Sequence, residues 1–158
     1  MPETRFTTAI GSCAIAWQTD EITQFWLPPA TTGIAQPPPW VNAIIERVRR
    51  HLAGEMQEFQ DLPYAWHRVS PFQRTVYEAA LRVRPGQTAS YGQLAAAVGL
   101  ASTARAVGHA LGQNPWPLLV PCHRFIGADG RMTGFSAPGG IKTKLRLLAL
   151  EGAELFAE

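Results

Sequence analysis

Apolar residues recur at strand-like spacing near the start of the chain and at helical spacing after it. Segments 6–17 and 21–27, rich in β-branched and aromatic residues around a polar break, predict the two strands of a hairpin. Segment 28–39 predicts a loop, because its prolines cannot donate to a sheet ladder. Five apolar residues then predict an amphipathic helix: Val41, Ile44, Ile45, Val48 and Leu52.

Two more amphipathic helices are predicted in the second half. Ser70 and Pro71 begin the first of them, as N-cap and first-turn residue. Its predicted buried side comprises Phe72, Val76, Ala79, Ala80 and Val83. The other helix lies near the end of the chain and stops at Gly152. Its predicted buried residues are Ile141, Leu145 and Leu148.

Between these helices, two shorter ones around a glycine form a helix-turn-helix pattern. Ser90 and Gln93 make a capping box that begins the first short helix, and Gly99 ends it. Ser102 is predicted to cap the second, which ends at Asn114. Small residues dominate this second helix: Ala104, Ala106, Gly108 and Ala110. They suit close approach to a packed neighbour or to a nucleic-acid groove, and the pattern alone allows both.

The order of elements predicts an α+β fold with two domains. A small N-terminal α/β domain, a short sheet plus a helix, is predicted over residues 1–69. A mainly helical C-terminal domain with the helix-turn-helix is predicted over residues 70–158.

Composition excludes several classes of protein. With 158 residues and 46% apolar content, the chain can bury a core, so disorder is not expected. It has no apolar run long enough for a membrane span and no signal-peptide pattern, which predicts an intracellular, cytoplasmic protein. Its two cysteines, Cys13 and Cys122, are far apart, so neither a disulfide framework nor a zinc or other metal site is expected.

Positive charge is concentrated in the second half. Residues 1–70 hold five arginines against seven acidic residues, whereas residues 71–158 hold nine basic residues against five. The acid-free stretch between Ala79 and Ala128 contains Arg82, Arg84, Arg105 and Arg124. If these arginines share a surface, they would attract phosphate; an ordinary solvated surface is the alternative.

Cys122 is the candidate nucleophile. It follows the apolar segment 117–121, which is predicted to be extended, and it precedes His123. A nucleophilic cysteine needs thiolate character, which imidazole and cationic neighbours promote. From residue types alone, a buried inert cysteine beside a structural histidine is the favoured interpretation.

Several motifs together resemble the O6-alkylguanine-DNA alkyltransferase family. The active-site signature of that family is matched by GQNPWPLLVPCHR, and around it, in family order, stand SYGQLA, ARAVGHAL, GFSAPGG and LLALEG. The similarity covers most of residues 70–153, whereas residues 1–69 match only loosely. It implies a helix-turn-helix of winged-helix type in a monomer that binds double-stranded DNA through the minor groove and uses no cofactor.

The resemblance also implies a reaction. The protein would flip O6-alkylguanine, and also O4-alkylthymine, out of duplex DNA and transfer the alkyl group irreversibly to Cys122, once per molecule. His123 would take the thiol proton through a water, and Glu151 would orient that histidine. Asn114 would brace the helix-turn-helix against the active-site loop.

Further positions would contact DNA or the flipped base. Tyr91 would crowd the phosphate and help to rotate the nucleotide outward, and Arg105 would fill the vacated space in the base stack. Ala104 and Gly108 would let the second short helix approach the groove. Phe135, where the family often has tyrosine, and Ser136 would lie in a loop over the base.

Three other functions compete with this interpretation. A non-catalytic relative that binds alkylated DNA and flags lesions for other repair factors would lack the acceptor, so Cys122 opposes it. A transcription regulator would require further regulatory domains. A Cys-His-Asn hydrolase usually places its cysteine at a helix N-terminus and its histidine far away in sequence, unlike Cys122 and His123.

Overall fold

A three-stranded antiparallel sheet, five α-helices and a short parallel sheet make up the described part of a computed structural model, residues 1–99, 102–127 and 140–153. In chain order the elements are β1 (Glu3–Thr8), β2 (Gly11–Gln18), β3 (Glu21–Trp26), α1 (Pro39–Leu52), α2 (Pro71–Ala80), β4 (Ala89–Ser90), α3 (Tyr91–Val98), α4 (Ala104–Gly112), β5 (Phe125–Ile126) and α5 (Ile141–Leu150). They confirm the predicted α+β class.

The N-terminal sheet has one strand more than the sequence predicts. The single strand expected over residues 6–17 is wrong, because the chain reverses between β1 and β2. Thr8 makes this turn: its hydroxyl donates to the Gly11 carbonyl and accepts from the Ile10 N–H, while Gly11 has φ +124°. Helix α1 matches its prediction, with all five expected apolar residues buried, but it also buries His51.

Helix α2 begins as predicted, with a capping box between Ser70 and Gln73. Its predicted buried side is partly wrong, because Phe72 is 39% exposed. The buried side is centred on Val76, Tyr77 and Ala80, so Phe72 lies at its margin. Tyr77 is fully buried and donates its hydroxyl proton to the Ala110 carbonyl at 2.6 Å.

Helices α3 and α4 form the predicted helix-turn-helix and pack against each other and α2. The capping box of Ser90 and Gln93 begins α3, and Gly99, with φ +74°, follows its last residue. The predicted cap of α4 is wrong by one residue. Thr103, not Ser102, accepts the Ala106 N–H at 3.0 Å through its side chain.

Two predictions near the site are corrected by the structure. Segment 117–121 is buried as expected but is not extended: Leu118 has φ +79°, and the Val120 N–H returns to the Trp116 carbonyl. In α5, Ile141 and Leu145 are 42% and 38% exposed. The core face of α5 comprises Lys144, Leu147 and Leu148.

Hydrogen bonds connect the N-terminal sheet to the segment that leads into the site. The Phe25 N–H donates to the Pro115 carbonyl, and the Trp116 indole N–H donates to the Ile22 carbonyl at 2.9 Å. A domain division at residues 69 and 70 stays a prediction. Within residues 1–99, 102–127 and 140–153, no helix has the length and apolar character needed to cross a bilayer.

We expect Trp116→Ala to lower the free energy of unfolding by about 3–5 kcal/mol, because loss of a fully buried indole leaves a cavity and removes a hydrogen bond to the Ile22 carbonyl. Phe72→Ala is the matched control and is expected to cost about 0.5 kcal/mol, since that ring is at the surface. Denaturant unfolding followed by circular dichroism measures both. Equal losses would contradict the assigned role of Trp116.

Candidate active site

Cys122 lies at the start of a 3-10 turn, Cys122–Arg124, directly after the buried turn 117–121. The residue is 8% exposed, and its N–H donates to the Val120 carbonyl at 2.8 Å. Because the preceding apolar residues are anchored in the core, the position of the sulfur is fixed by packing as well as by hydrogen bonds.

Asn114 connects the end of α4 to this turn. Its side-chain amide donates to the Val120 carbonyl, and its side-chain oxygen accepts the Trp116 N–H, each at 2.9 Å. The Asn114 side chain also acts to lower the pKa of the Cys122 thiol. The structure therefore brings Asn114 and Cys122 together.

Burial raises the pKa of the Cys122 thiol above its ordinary value. The Asn114 hydrogen bond, the charge of Lys144 and backbone N–H groups oppose this effect without cancelling it. The thiol is therefore protonated at neutral pH, and its use as a nucleophile requires a neighbouring base.

His123 is the candidate base, and its orientation is set by Glu151. His123 is fully buried, and its Nε2 lies 2.9 Å from the Glu151 carboxylate. An ionised carboxylate only accepts hydrogen bonds, so Nε2 carries the ring proton and Nδ1 is the basic nitrogen. No described residue donates a hydrogen bond to Nδ1.

The Glu151 carboxylate, just after α5, collects donors from three side chains. Arg124 donates from Nε at 2.9 Å and from a terminal nitrogen at 2.8 Å, and His51 lies 2.8 Å away through its Nε2. Burial alone would raise the pKa of Glu151, but the hydrogen bonds from Arg124, His123 and His51 hold it well below its ordinary value.

Burial lowers the pKa of His123, and the hydrogen bond to Glu151 opposes this only in part. The imidazole is therefore neutral at pH 7 and able to accept a proton. A protonated thiol followed in the chain by a neutral imidazole that a carboxylate fixes is suited to general-base activation of sulfur through a bridging water.

Lys144 is a site residue that sequence reasoning missed. Its side chain is fully buried, and its ammonium donates to the Phe125 carbonyl at 2.5 Å and to the Tyr91 hydroxyl at 3.4 Å. The ammonium also lies 5.7 Å from the centre of the Tyr91 ring. Residues 144, 147, 148 and 151 share one helical face, and this spacing links Lys144 to Glu151 in the sequence.

Arg124 and His51 were also not recognised as site residues. The prediction that Arg124 contributes to a positive surface is wrong, since the side chain is buried, pairs with Glu151 and donates to the Val83 carbonyl at 2.7 Å. His51 is separated from Glu151 by 100 positions, and no local pattern could pair them.

The predicted DNA-contacting residues lie on the helix-turn-helix. Ala104 and Arg105 are exposed at the start of α4, Gly108 is half-buried, and Tyr91 begins α3. Phe135 and Ser136 lie outside the described residues.

Cys13, the other cysteine, is fully buried in β2. Burial raises the pKa of its thiol to about 12, against a smaller opposing hydrogen bond from Thr8. Both cysteines are free. Over the described ranges, no cluster of three or more His, Cys, Asp or Glu side chains is arranged to hold a metal ion.

Two curated relatives illustrate what the chain is similar to. A methylated-DNA–protein-cysteine methyltransferase from Mycolicibacterium paratuberculosis is 43% identical over 126 residues, covering 78% of this chain and 72% of the relative. A DNA base-flipping protein from Thermus thermophilus is 46% identical over 108 residues, covering 68% and 71%.

Structural and family comparisons agree with these relatives. The crystal structure of Mycobacterium tuberculosis OGT in complex with DNA matches with a TM-score of 0.81 and 35% identity, covering 96% of this chain and 93% of the other. The family model described as 6-O-methylguanine DNA methyltransferase, DNA binding domain, matches residues 71–153, more than half of the chain. The chain is a member of the 6-O-methylguanine DNA methyltransferase family, as its motifs predicted.

Proposed function

We propose that this protein repairs DNA by taking the alkyl group of O6-alkylguanine onto Cys122, once per molecule. The observation that carries the proposal is that the Glu151 carboxylate fixes the tautomer of His123, the residue that follows Cys122 in the 3-10 turn. Family membership and the DNA complex of a similar protein support it.

In the proposed reaction, the Cys122 sulfur attacks the alkyl carbon as its proton passes, through a bridging water, to Nδ1 of His123. A sulfur–carbon bond forms, the bond from carbon to guanine O6 breaks, and its electron pair leaves with the base. The Tyr91 hydroxyl is proposed to donate a proton to the departing base, and the Lys144 ammonium, 3.4 Å from the hydroxyl oxygen, would favour the charge that this leaves on Tyr91.

Helix α4 is proposed to enter the minor groove, with Arg105 filling the space of the extruded nucleotide. The exposure of Ala104 and Arg105 supports this. At Gly108 an added methyl group would meet the Tyr91 ring at an ordinary 3.6 Å, so packing inside the chain does not demand glycine there. Close approach of another surface is a better reason for its small size.

The finer features of the proposal follow from the same site. O4-alkylthymine presents a comparable alkyl–oxygen bond and is proposed as a second substrate. The protein is proposed to act as a monomer, since Asn114, Cys122, His123 and Glu151 all come from one chain. Action on DNA requires a compartment that holds DNA, which supports the predicted cytoplasmic location. Phe135 and Ser136 are proposed to cover the flipped base.

A non-catalytic lesion-binding protein is the alternative, favoured by the similarity to a DNA base-flipping protein. The thiol at position 122 favours alkyl transfer over this alternative, because a non-catalytic relative would lack the acceptor.

Incubation with duplex DNA that carries O6-methylguanine is expected to add one methyl group per chain, measured as intact mass and located by peptide mapping at Cys122. Cys122→Ser is expected to abolish the gain, and the control Cys13→Ala to retain it, because Cys13 is sealed in the sheet. O4-methylthymine duplex is expected to give the same product. Tight binding without a mass gain would establish the lesion-binding alternative, and repeated turnovers would refute single use.

The pH dependence of transfer is expected to show a broad plateau. Below the lowered pKa of His123 the base is protonated and transfer slows; above it, the neutral imidazole accepts the thiol proton, so the rate stays level through neutral pH. His123→Gln is expected to slow transfer about 100-fold at pH 7. Its rate should then rise with pH as the thiol ionises unaided, which single-turnover kinetics would measure. An unchanged pH profile in the variant would remove His123 from proton transfer.

Arg105→Ala is expected to slow transfer from duplex DNA far more than transfer from free O6-alkylguanine, because only the duplex requires extrusion. Arg68→Ala, which removes the same charge from an exposed position on the N-terminal half, is the matched control and is expected to change neither rate greatly. Parallel rate measurements on the two substrates test this. Equal slowing of both by Arg105→Ala would eliminate its role in flipping.

A further inference from the structure

A buried histidine from the N-terminal half reaches the carboxylate that orients the base. His51, in the last turn of α1, is 1% exposed, and its Nε2 lies 2.8 Å from Oε2 of Glu151. The Nε2 of His123 contacts the same oxygen at 2.9 Å. The two imidazoles therefore share one acceptor atom, although they come from opposite halves of the chain.

The second ring nitrogen fixes the role of His51. The backbone N–H of Gln57 donates to Nδ1 of His51 at 3.0 Å, so Nδ1 must be unprotonated to accept it. The ring proton is then on Nε2 and is directed at Glu151. The neighbouring Phe59 ring, 5.4 Å away between centroids, packs beside the imidazole.

We propose that His51 is a positioning residue for alkyl transfer: its Nε2–H holds the Glu151 oxygen that in turn holds His123. The inference rests on the proposed function of Cys122 and extends it by giving the N-terminal half a part in the reaction. The charged and titratable groups that face Glu151 are His51 from α1 and His123 and Arg124 from the 3-10 turn. All three contact Oε2 of Glu151, and Arg124 also donates to Oε1, so both oxygens of the carboxylate are held.

Loss of the His51 donor has two expected effects. The carboxylate keeps its bonds to Arg124 but is held less firmly toward His123, so transfer slows. With one donor fewer, the carboxylate also attracts the His123 proton more strongly, so the imidazole protonates more readily and the acidic edge of the plateau moves to higher pH.

Three substitutions separate positioning from packing. His51→Gln keeps an N–H donor at about the distance of Nε2, whereas His51→Asn keeps an acceptor for Gln57 but cannot reach Glu151. His51→Leu keeps neither. Transfer by the Asn and Leu variants is expected to be about tenfold slower, with the acidic edge shifted upward, and the Gln variant is expected to restore both. His67→Gln, at an exposed histidine paired with Glu21, is the control.

Single-turnover rates against pH, normalised to the folded fraction from circular dichroism, measure these effects. The proposal would be overturned if the folded His51→Asn and His51→Leu variants transferred at the wild-type rate and kept the wild-type acidic edge of the pH profile. A measurement on the unaltered protein needs no variant to fold: nitrogen–proton NMR of the imidazoles is expected to show both His51 and His123 protonated at Nε2 only. Protonation of His51 at Nδ1 would refute the positioning role even if Cys122 accepts alkyl groups, whereas a wild-type protein that transfers none would refute the proposed function instead.

Discussion

The buried carboxylate of Glu151 is the constraint on which the arrangement of the site depends. An ionised carboxylate removed from water is costly unless donors surround it, and here His51, His123 and Arg124 supply them. Each donor comes from a segment whose place is set by packing: α1 for the first, the 3-10 turn for the other two. The hydrogen bonds to this carboxylate therefore hold α1, the 3-10 turn and the end of α5 together.

This constraint also explains why the nucleophile can be buried. A thiol held in its neutral form is stable within the core, and the next residue, His123, is neutral with a fixed tautomer. Under the proposed function, both groups stay uncharged until an electrophilic carbon arrives. Lys144 complements this design, since its buried ammonium lowers the cost of negative charge on the sulfur and on the Tyr91 oxygen.

How far the sequence could predict the structure depended on the range of the interactions involved. The caps at Ser70 and Ser90 follow from hydrogen bonds within one turn, and they were predicted correctly. The turn between β1 and β2 depends on a hydrogen bond from the Thr8 hydroxyl, which the pattern of apolar and polar residues does not indicate. The core face of α5 was misjudged because apolar character was assumed to mark burial, whereas Lys144 is buried through its partners. His51 was beyond reach, since only the tertiary fold pairs it with Glu151.

The second cysteine has a consequence for how the molecule records damage. Cys13, enclosed between strands with its pKa raised to about 12, offers no competing sulfur to small electrophiles in the surrounding solution. Of the two cysteines, Cys122 is therefore the one that a chemical alkylator is expected to reach. Under the proposed function, the number of molecules with an intact Cys122 equals the remaining repair capacity, because each adduct removed consumes one molecule.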